Sequence, residues 1–357
     1  MQLSIINILQ LLLVFQSLVF MTFLLSQRRG KYISNSLLAI FLFVLAVHMI
    51  SNFIFDLNLS WPIPDLTNSY GFLYGPLIFL YIKSLVYKDF QLSLRNALHL
   101  LPWLITLSAT YFTIIPIQLS GISILISFST YLVLSFRLIK HFHLIIKNTQ
   151  SRFDSIALLW MQRFLYGLIF ITLVDTIHNL IVVNNLVMEN LFYGFLITSL
   201  LFFVTSLVFH GLRQPELFQG VSVEDEALVN DAASSYTSSK LAQKEIDSLA
   251  ELIQSYFNSN QPYRDSDLNI QKLATSMNMN NRTISEVINR YFNQNFSDFV
   301  NSYRIQEAIS LLKNNDDKTT VLEILYAVGF NSKSSFYTAF KIKTGMTPSE
   351  FKKTLQQ

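Results

Sequence analysis

The chain has 357 residues, which is long enough for two or more domains. Hydrophobic residues make up 51% of it, with 31 Phe, against 14% charged residues, and this exceeds what a soluble chain needs. The formal net charge of +3 is too small to identify a nucleic-acid binder by itself. The absence of Cys excludes disulfides, thiolate metal sites and cysteine nucleophiles. All six His lie at or before residue 210, so the polar remainder has no histidine for phosphotransfer, metal binding or general-base catalysis.

The apolar part up to His210 predicts seven membrane spans, each near the roughly 20 residues that a bilayer crossing requires. The spans are approximately 3–26, 33–55, 70–86, 97–117, 122–139, 164–183 and 191–210. The first span is not preceded by basic residues and has no small-residue cleavage site before Arg28. We therefore expect it to be retained instead of being removed as a signal peptide.

The loops between these spans predict the orientation of the chain. Basic residues follow or flank spans one, three and five, whereas the alternate loops 56–69, 118–121 and 184–190 contain no Lys or Arg. The basic residues are Arg28, Arg29, Lys31, Lys83, Lys88, Arg95, Arg137, Lys140, Lys147, Arg152 and Arg163. Positive loops stay in the cytoplasm. This pattern predicts a multi-pass membrane protein with its N-terminus outside and everything after His210 in the cytoplasm.

Seven polar or aromatic residues lie in the outer half of the predicted bundle. They are His48, Asn52, Tyr70, Tyr74, Asp175, His178 and Asn179. An intramembrane carboxylate costs several kcal/mol, as an order of magnitude, unless it is paired, so such groups usually face the bundle interior or a cavity. Two interpretations stay open: an outward-facing pocket for a small ligand, or an interhelical hydrogen-bond staple such as Asp175 to His48.

The polar stretch 214–237 contains Glu224, Asp225, Glu226 and Asp231 and predicts a flexible tether. A helix is expected over about 239–257, followed by Pro262. Its apolar residues keep the four-three spacing of a coiled-coil seam: Ala242, Ile246, Leu249, Ile253 and Tyr256. Two heptads are too short to hold a dimer alone. The helix is expected either to pack on the domain that follows or to act as a dimerising signal helix.

The stretch 319–350 has the pattern of a helix, a tight turn and a second helix. Apolar residues recur at helical spacing in the first helix, and Gly329 can supply the turn residue with positive φ. The second helix runs from about Ser332, with Phe336 and Phe340 inward and small polar or basic residues outward. A short helix of this kind after a tight turn suits the major groove of DNA.

This stretch resembles the second helix-turn-helix of the AraC/XylS family of transcription regulators. The matching residues are Ile324, Val328, Gly329, Phe330, Ser335, Phe336, Phe340, Lys341, Gly345, Thr347 and Pro348, while Leu325 replaces the usual small Ala. The stretch 270–292 predicts a helix over Ile270–Met277, a turn with Asn278 as a residue able to take the left-handed conformation, and a second helix from about Asn281 to Phe292. It resembles the family's first unit. The run 295–312 resembles its connecting helix, with Asn295 at a usual Gly position. Apolar runs at 74–85, 99–104 and 211–218 resemble membrane-embedded members, which carry a multi-span sensor.

The resemblance implies two recognition helices that enter successive major grooves and read an asymmetric site. The residues expected to contact DNA are Arg282, Ser285, Glu286, Asn289, Ser332, Lys333, Ser334, Ser335, Thr338 and Lys341. From Tyr263 onward, 12 basic minus 9 acidic residues give +3. This modest surplus predicts limited non-specific affinity and binding that weakens steeply with salt.

The predicted fold class is all-α: a seven-helix transmembrane bundle (1–211), a linker (212–262) and a domain with two helix-turn-helix motifs (263–357). With the resemblance, the predicted function is a membrane-bound one-component transcription regulator of a bacterial inner (cytoplasmic) membrane. The alternatives are a transporter with a self-regulatory DNA-binding domain, and a bundle that serves only as an anchor. No catalytic residue, cofactor or metal is expected, so an enzyme is disfavoured. The expected partners are promoter or operator DNA, the lipid bilayer, an unidentified small-molecule or membrane signal, RNA polymerase and a second copy of the chain in a homodimer.

Overall fold

A computed structural model describes residues 3–27, 32–57, 67–111, 117–180, 186–213, 220–235, 241–314 and 319–355. These residues form α-helices and short 3₁₀ turns and contain no strand. An isolated antiparallel bridge joins Gln150 and Asn269. The predicted all-α fold class is therefore confirmed. The chain divides into two compact units, residues 1–140 with 158–220 and residues 141–157 with 221–357.

The first compact unit contains the apolar helices. They are α1 (Ile5–Ser26), α2 (Tyr32–Asp56), α3 (Thr67–Val86), α4 (Leu94–Ala97), α5 (Leu101–Tyr111), α6 (Ile117–Thr149) up to Lys140, α8 (Leu159–Leu180) and α9 (Leu186–Arg213). Helix α1 packs against α2 and α9, and α2 packs against α3. Two glycines bring α3 close to α6, because a Cβ on Gly71 would lie 2.7 Å from Ile124 and one on Gly75 would lie 3.0 Å from Tyr131.

Large apolar side chains remain on the outside of this unit. Phe15 is 67% exposed and Phe202 is 70% exposed, while Leu13 and Leu42 are fully buried. A helix with apolar residues on both its buried and exposed sides is typical of a membrane span. Five described helices are long and apolar enough to cross a membrane: Ile5–Ser26, Tyr32–Asp56, Ser69–Val86, Gly121–Thr149 and Met188–Leu212.

These helices correspond to predicted spans one, two, three, five and seven. Predicted span six lies in α8, which has the same length as α1 but is not among the five. The predicted boundary between spans four and five is wrong, because residues 118–121 belong to the continuous helix α6. In place of one helix over 97–117, the structure has α4, a 3₁₀ turn (Leu98–Leu100) and α5, and residues 112–116 lie outside the described range.

The second compact unit contains the other helices of the described residues. They are the end of α6, α7 (Phe153–Ile156), α10 (Val223–Ser235), α11 (Gln243–Asn260), α12 (Ile270–Met277), α13 (Asn281–Arg290), α14 (Phe296–Asn314), α15 (Val321–Ala327), α16 (Lys333–Thr344) and α17 (Pro348–Leu355). A 3₁₀ turn, Pro262–Arg264, separates α11 from α12. The division between the two units falls inside α6.

Helix α10 lies where the sequence predicts a flexible tether. Ser222 and Asp225 form reciprocal bonds at its start: the Ser222 backbone N–H donates to the Asp225 carboxylate at 3.0 Å, and the Asp225 N–H donates to Ser222 Oγ at 3.2 Å. Val229 is buried, and α10 packs against α13. The tether prediction is thus wrong over 223–235, because the cap and two apolar residues, Leu228 and Val229, outweigh the polar composition.

Helix α11 packs on the domain that follows it. Ile246, Ala250, Ile253 and Phe257 are fully buried. The last three belong to one core cluster with α12, α13 and the start of α14, and Leu249 and Tyr256 pack against that cluster. Four of the five predicted seam residues, Ile246, Leu249, Ile253 and Tyr256, are thus buried or packed within the chain, as the first of the two interpretations expects. The fifth, Ala242, is exposed and precedes α11, so the predicted start of the helix at about 239 is not observed at residues 241 and 242.

Candidate nucleic-acid interface

Two helix-turn-helix units share the helix α14. Its first part supplies Phe296, Phe299 and Val300 to a core with α11, α12 and α13. Its later part supplies Ile305, Ala308 and Leu312 to a second core with α15 and α16. Because one helix contributes to both cores, the two units are joined by packing as well as by the chain.

The turn of the first unit has the expected geometry. Asn269 caps α12 by accepting a bond from the Lys272 N–H at 2.8 Å, and Asn278 ends the helix with φ +50°. The left-handed conformation predicted for Asn278 is confirmed. Asn280 then caps α13, accepting from the Arg282 N–H at 2.8 Å, and so fixes where the first recognition helix begins.

The turn of the second unit depends on Gly329, which has φ +93°. Thr320 and Glu323 form a capping box at the start of α15, and Ser332 caps α16 by accepting from the Ser335 N–H at 3.5 Å. Gly345 closes α16 in the left-handed conformation, with φ +78°. Both positive-φ residues are glycines, as the conformation favours.

The predicted contact residues of α13 differ in accessibility. Arg282 is exposed and Glu286 is half-buried, with a 2.7 Å ion pair to Arg290. Ser285 is only 8% exposed and accepts from the Asn289 side chain at 3.3 Å, while Asn289 also donates to the Ser285 carbonyl at 2.9 Å. The outward placement predicted for Ser285 is therefore not observed.

The predicted contact residues of α16 lie on its accessible side. Lys333, Ser334, Thr338 and Lys341 are exposed, and Ser332 and Ser335 are half-buried. Phe336 and Phe340 are fully buried in the second core. Helix α16 thus presents hydroxyl and ammonium groups, which can donate to phosphates and base edges.

Several basic residues of the second compact unit are buried or form bonds to other groups of that unit. Lys272 pairs with Asp265 at 2.9 Å, Arg264 pairs with Glu307, and Arg304 is 1% exposed. Lys352 donates to the Thr319 carbonyl at 3.0 Å. Arg282, Lys333 and Lys341, on or beside the recognition helices, are exposed to solvent. Arg304 is the residue whose role the sequence pattern missed, since it counted only as one more positive charge.

The residues predicted to line a ligand pocket lie on α2, α3 and α8. His48 on α2 lies 2.7 Å from the Tyr74 hydroxyl (Nδ1 to OH) on α3 and 5.4 Å, between ring centroids, from Tyr70. His178 on α8 stacks on Phe192 of α9 at 3.6 Å. Within the described residues neither buried ring nitrogen of His178 has a hydrogen-bond partner.

The remaining members of that predicted set are Asn52, Asp175 and Asn179. Asn52 and Asp175 are half-buried, and the side chain of Asn179 lies outside the described part of the structure. For His48 the observed geometry is that of an interhelical staple, with Tyr74 as a partner.

Comparison with known proteins places the C-terminal part in a recognised class. A family model described as a helix-turn-helix domain matches residues 273–354, which include both recognition helices. A protein of Pseudoalteromonas carrageenovora, named "Uncharacterized HTH-type transcriptional regulator in cgkA 5'region", is 32% identical over 88 residues. The match covers 25% of this chain and 51% of that relative, so the chain spans about half of the relative's length. No solved structure matches.

The chain therefore carries an AraC-type helix-turn-helix domain at its C-terminus. This class of domain binds DNA and is not enzymatic. The apolar helices that precede it are compatible with a membrane anchor.

Proposed function

We propose that the protein is a membrane-embedded one-component transcription regulator that binds specific DNA sequences through both helix-turn-helix units. The observation that carries this proposal is the pair of capped recognition helices, α13 and α16, joined by α14 and each exposing basic or polar residues. Paired units on one rigid helix suit two successive major grooves, about 34 Å apart, and an asymmetric operator.

The membrane half is proposed to receive a signal and to change the affinity for DNA of the second compact unit, which carries both helix-turn-helix units. Five long apolar helices and their exposed Phe side chains support residence in a bilayer, and the basic loops favour a cytoplasmic DNA-binding domain. A signal can act only through different affinities for two states of the bundle. The polar groups around His48 and His178 are the proposed place for a small ligand. RNA polymerase and a second copy of the chain are further proposed partners.

Genome-wide mapping of DNA bound by the full-length protein tests the function. Arg282→Ala and Lys333→Ala each remove an exposed cation from one recognition helix. Lys244→Ala, on the exposed side of α11, is the matched control. We expect enrichment at a few promoters that is lost in both recognition-helix variants and kept in the control. Enrichment that survives both substitutions would contradict sequence reading by α13 and α16.

Signal reception is tested separately with Asp175→Asn, which replaces the carboxyl group on α8 with an amide. We expect a changed transcriptional response, while the protein level and DNA binding by the second compact unit stay as in the wild type. A lower protein level with an unchanged response would instead assign Asp175 to structural stability.

A further inference from the structure

The loop after α6 pairs with the segment that leads into the first helix-turn-helix unit. The bridge between Gln150 and Asn269 is antiparallel, and the Ser151 N–H donates to the Leu268 carbonyl at 3.1 Å. Arg152 forms an ion pair with Asp267. Residues 150, 151 and 152 therefore meet residues 269, 268 and 267 in antiparallel order. We call residues 150–152 the docking strand, a name for three residues that form a single isolated bridge and belong to no sheet.

The docking strand also completes the surroundings of the buried Arg304. The Arg304 guanidinium donates from Nε to the Tyr263 carbonyl at 2.7 Å and from Nη2 to the Asp265 carbonyl at 2.8 Å. Nη2 donates in addition to Ser151 Oγ at 3.2 Å, and Nη1 reaches the Ser151 carbonyl at 3.5 Å. A buried guanidinium is costly unless its donors are satisfied. Ser151 thus supplies two of the acceptors that this group needs.

Burial lowers the pKa of Arg304 to about 10, an effect that the nearby Asp265 carboxylate opposes. The group therefore stays charged at neutral pH, and it keeps its need for acceptors. The charge also lies over an aromatic ring, since the guanidinium carbon is 5.4 Å from the Phe330 ring centroid.

Arg304 stands where the two helix-turn-helix units meet. It belongs to α14, its backbone acceptors precede the first unit, and Phe330 follows the turn of the second unit. Gly329, in that turn, approaches the same Tyr263 carbonyl so closely that an added Cβ would lie 2.4 Å from it. The segment 263–269 therefore contacts both units, and the docking strand covers it.

The docked arrangement leaves the recognition helices accessible. Arg282, Lys333 and Ser334 are exposed while residues 150–152 are docked. Asn269, the partner of Gln150, is at the same time the cap of α12. The docking strand thus contacts the first helix-turn-helix unit at the start of α12 and leaves these residues of the recognition helices exposed.

We propose that the docking strand is the point at which the membrane half controls DNA affinity: docked, it holds both units in their DNA-binding arrangement, and release weakens binding. This proposal rests on the proposed DNA-binding function. Helix α6 runs without a break from a candidate membrane span to Thr149, next to the docking strand, so a shift of the span reaches residues 150–152 along one helix. Preorganisation by docking raises affinity because less ordering is left to occur on DNA.

The first experiment measures docking without DNA. The chain has no Cys, so Gln150→Cys with Asn269→Cys introduces the only two thiols. Bridged antiparallel residues have Cα atoms about 4.5–5.5 Å apart, within disulfide range. In the full-length protein in membranes we expect mild oxidation to protect both thiols from maleimide, reversibly by dithiothreitol. Each single variant, and Gln150→Cys paired with Glu251→Cys on the exposed side of α11, should stay reactive.

The second experiment measures the effect of docking on DNA affinity. Arg152→Asp should repel Asp267, and the double variant Arg152→Asp with Asp267→Arg should restore the pair while keeping the net charge of the wild type. Lys140→Asp, an exposed position on α6, is the control with the same charge change. The probe is a duplex selected from a random-sequence pool by the wild-type protein in nanodiscs. We expect Arg152→Asp to lose about tenfold in affinity and the double variant to recover to within about threefold.

The outcomes separate this proposal from the function on which it rests. Thiols that stay reactive in the double-cysteine variant would overturn docking. Protected thiols together with equal affinity for Arg152→Asp and Lys140→Asp would overturn control by the docking strand. Failure of the wild type to select any duplex would refute the proposed function and with it the control, whereas docking would still be decided by the thiols.

Discussion

Gly329, at the junction of the two helix-turn-helix units, has no room for a side chain. Its φ of +93° is strained for any residue with a side chain, and an added Cβ would lie 2.4 Å from the Tyr263 carbonyl oxygen and 2.8 Å from that of Arg264. Both obstacles are backbone atoms. We therefore expect Gly329→Ala to lower the free energy of unfolding of the second unit by about 3 kcal/mol. Hydrogen exchange of α15 and α16 in the full-length protein measures this.

Gly345 provides the matched control for that substitution. It also has a positive φ, +78°, but nothing lies within 4 Å of where its Cβ would be. Gly345→Ala should therefore cost only the backbone strain, about 1 kcal/mol. Equal losses for the two variants would show that crowding against Tyr263 and Arg264 contributes nothing.

For single residues, some conformations could be predicted from the sequence and some burial could not. The turn roles of Asn278 and Gly329 follow from their own conformational preferences, and both are confirmed. Ser285 lies three residues before the buried Ile288 and shares its side of α13, which the polar character of serine concealed. Arg304 could not have been identified, because its hydrogen-bond partners include Ser151, which lies 153 positions earlier in the chain.

At the scale of helices, two carboxylate caps stabilise the second helix-turn-helix unit, one at the start of α15 and one at the start of α17. The Glu323 carboxylate accepts from the Thr320 N–H at 2.7 Å, and the Glu350 carboxylate accepts from the Thr347 N–H at 2.8 Å. These backbone bonds, reinforced by the threonine hydroxyls, hold the pKa of both carboxyls below the usual 4.5. The bonds favour the ionised form, which is the form that accepts two donors at once.

The lowered pKa values give the second unit an acid-sensitive stability. A carboxyl group whose pKa is lower in the folded than in the unfolded state stabilises the folded state at every pH above its unfolded pKa. That stabilisation is lost as the pH falls through the folded pKa. The stabilisation is thus complete near neutral pH and declines below about 4.5. We expect Glu323→Gln with Glu350→Gln to lower stability at pH 7 and to flatten the decline in acid.

Protection of α15 and α17 from hydrogen exchange, corrected for the intrinsic rate at each pH, reports this change. Glu251→Gln on α11 is the control, because its carboxylate is on an exposed helix surface outside these caps. A double variant whose decline in acid matches that of the wild type would contradict the role of the caps.

Helix boundaries show which elements a sequence pattern defines well. The bounds of α12 were predicted to the residue, because a cap, an amphipathic pattern and a turn residue all agree. The predicted break near Gly121 is wrong because one glycine is tolerated in an apolar helix, and nothing lies within 4 Å of its Cβ position. Helix α10 was missed because its two apolar anchors gain their effect from packing on the domain.

At the scale of the whole molecule, the distribution of cations sets the strength and salt dependence of DNA binding. Arg304 is buried and Arg264 is paired, so fewer cations meet DNA than the sequence counts. Each phosphate neutralised contributes about −0.9 to the slope of log affinity against log salt. We expect Lys341→Ala to make the slope shallower by about 0.9 and to weaken binding equally across sequences.

Titration of the full-length protein in nanodiscs with its selected duplex at several salt concentrations measures the slope. Lys244→Ala on α11 is the control, since it removes an exposed charge away from α16. A slope that changes equally in the two variants would contradict a phosphate contact by Lys341.

The central claim is that one chain binds specific DNA while it resides in the membrane. The most direct test is to cross-link living cells, shear the DNA, isolate washed membranes and sequence the DNA that sediments with the full-length protein. We expect a small set of promoters to be enriched in the membrane fraction for the wild type and lost for Arg282→Ala and Lys333→Ala at equal protein levels. Enrichment of the same promoters only in the soluble fraction, with a shortened C-terminal fragment, would contradict the claim.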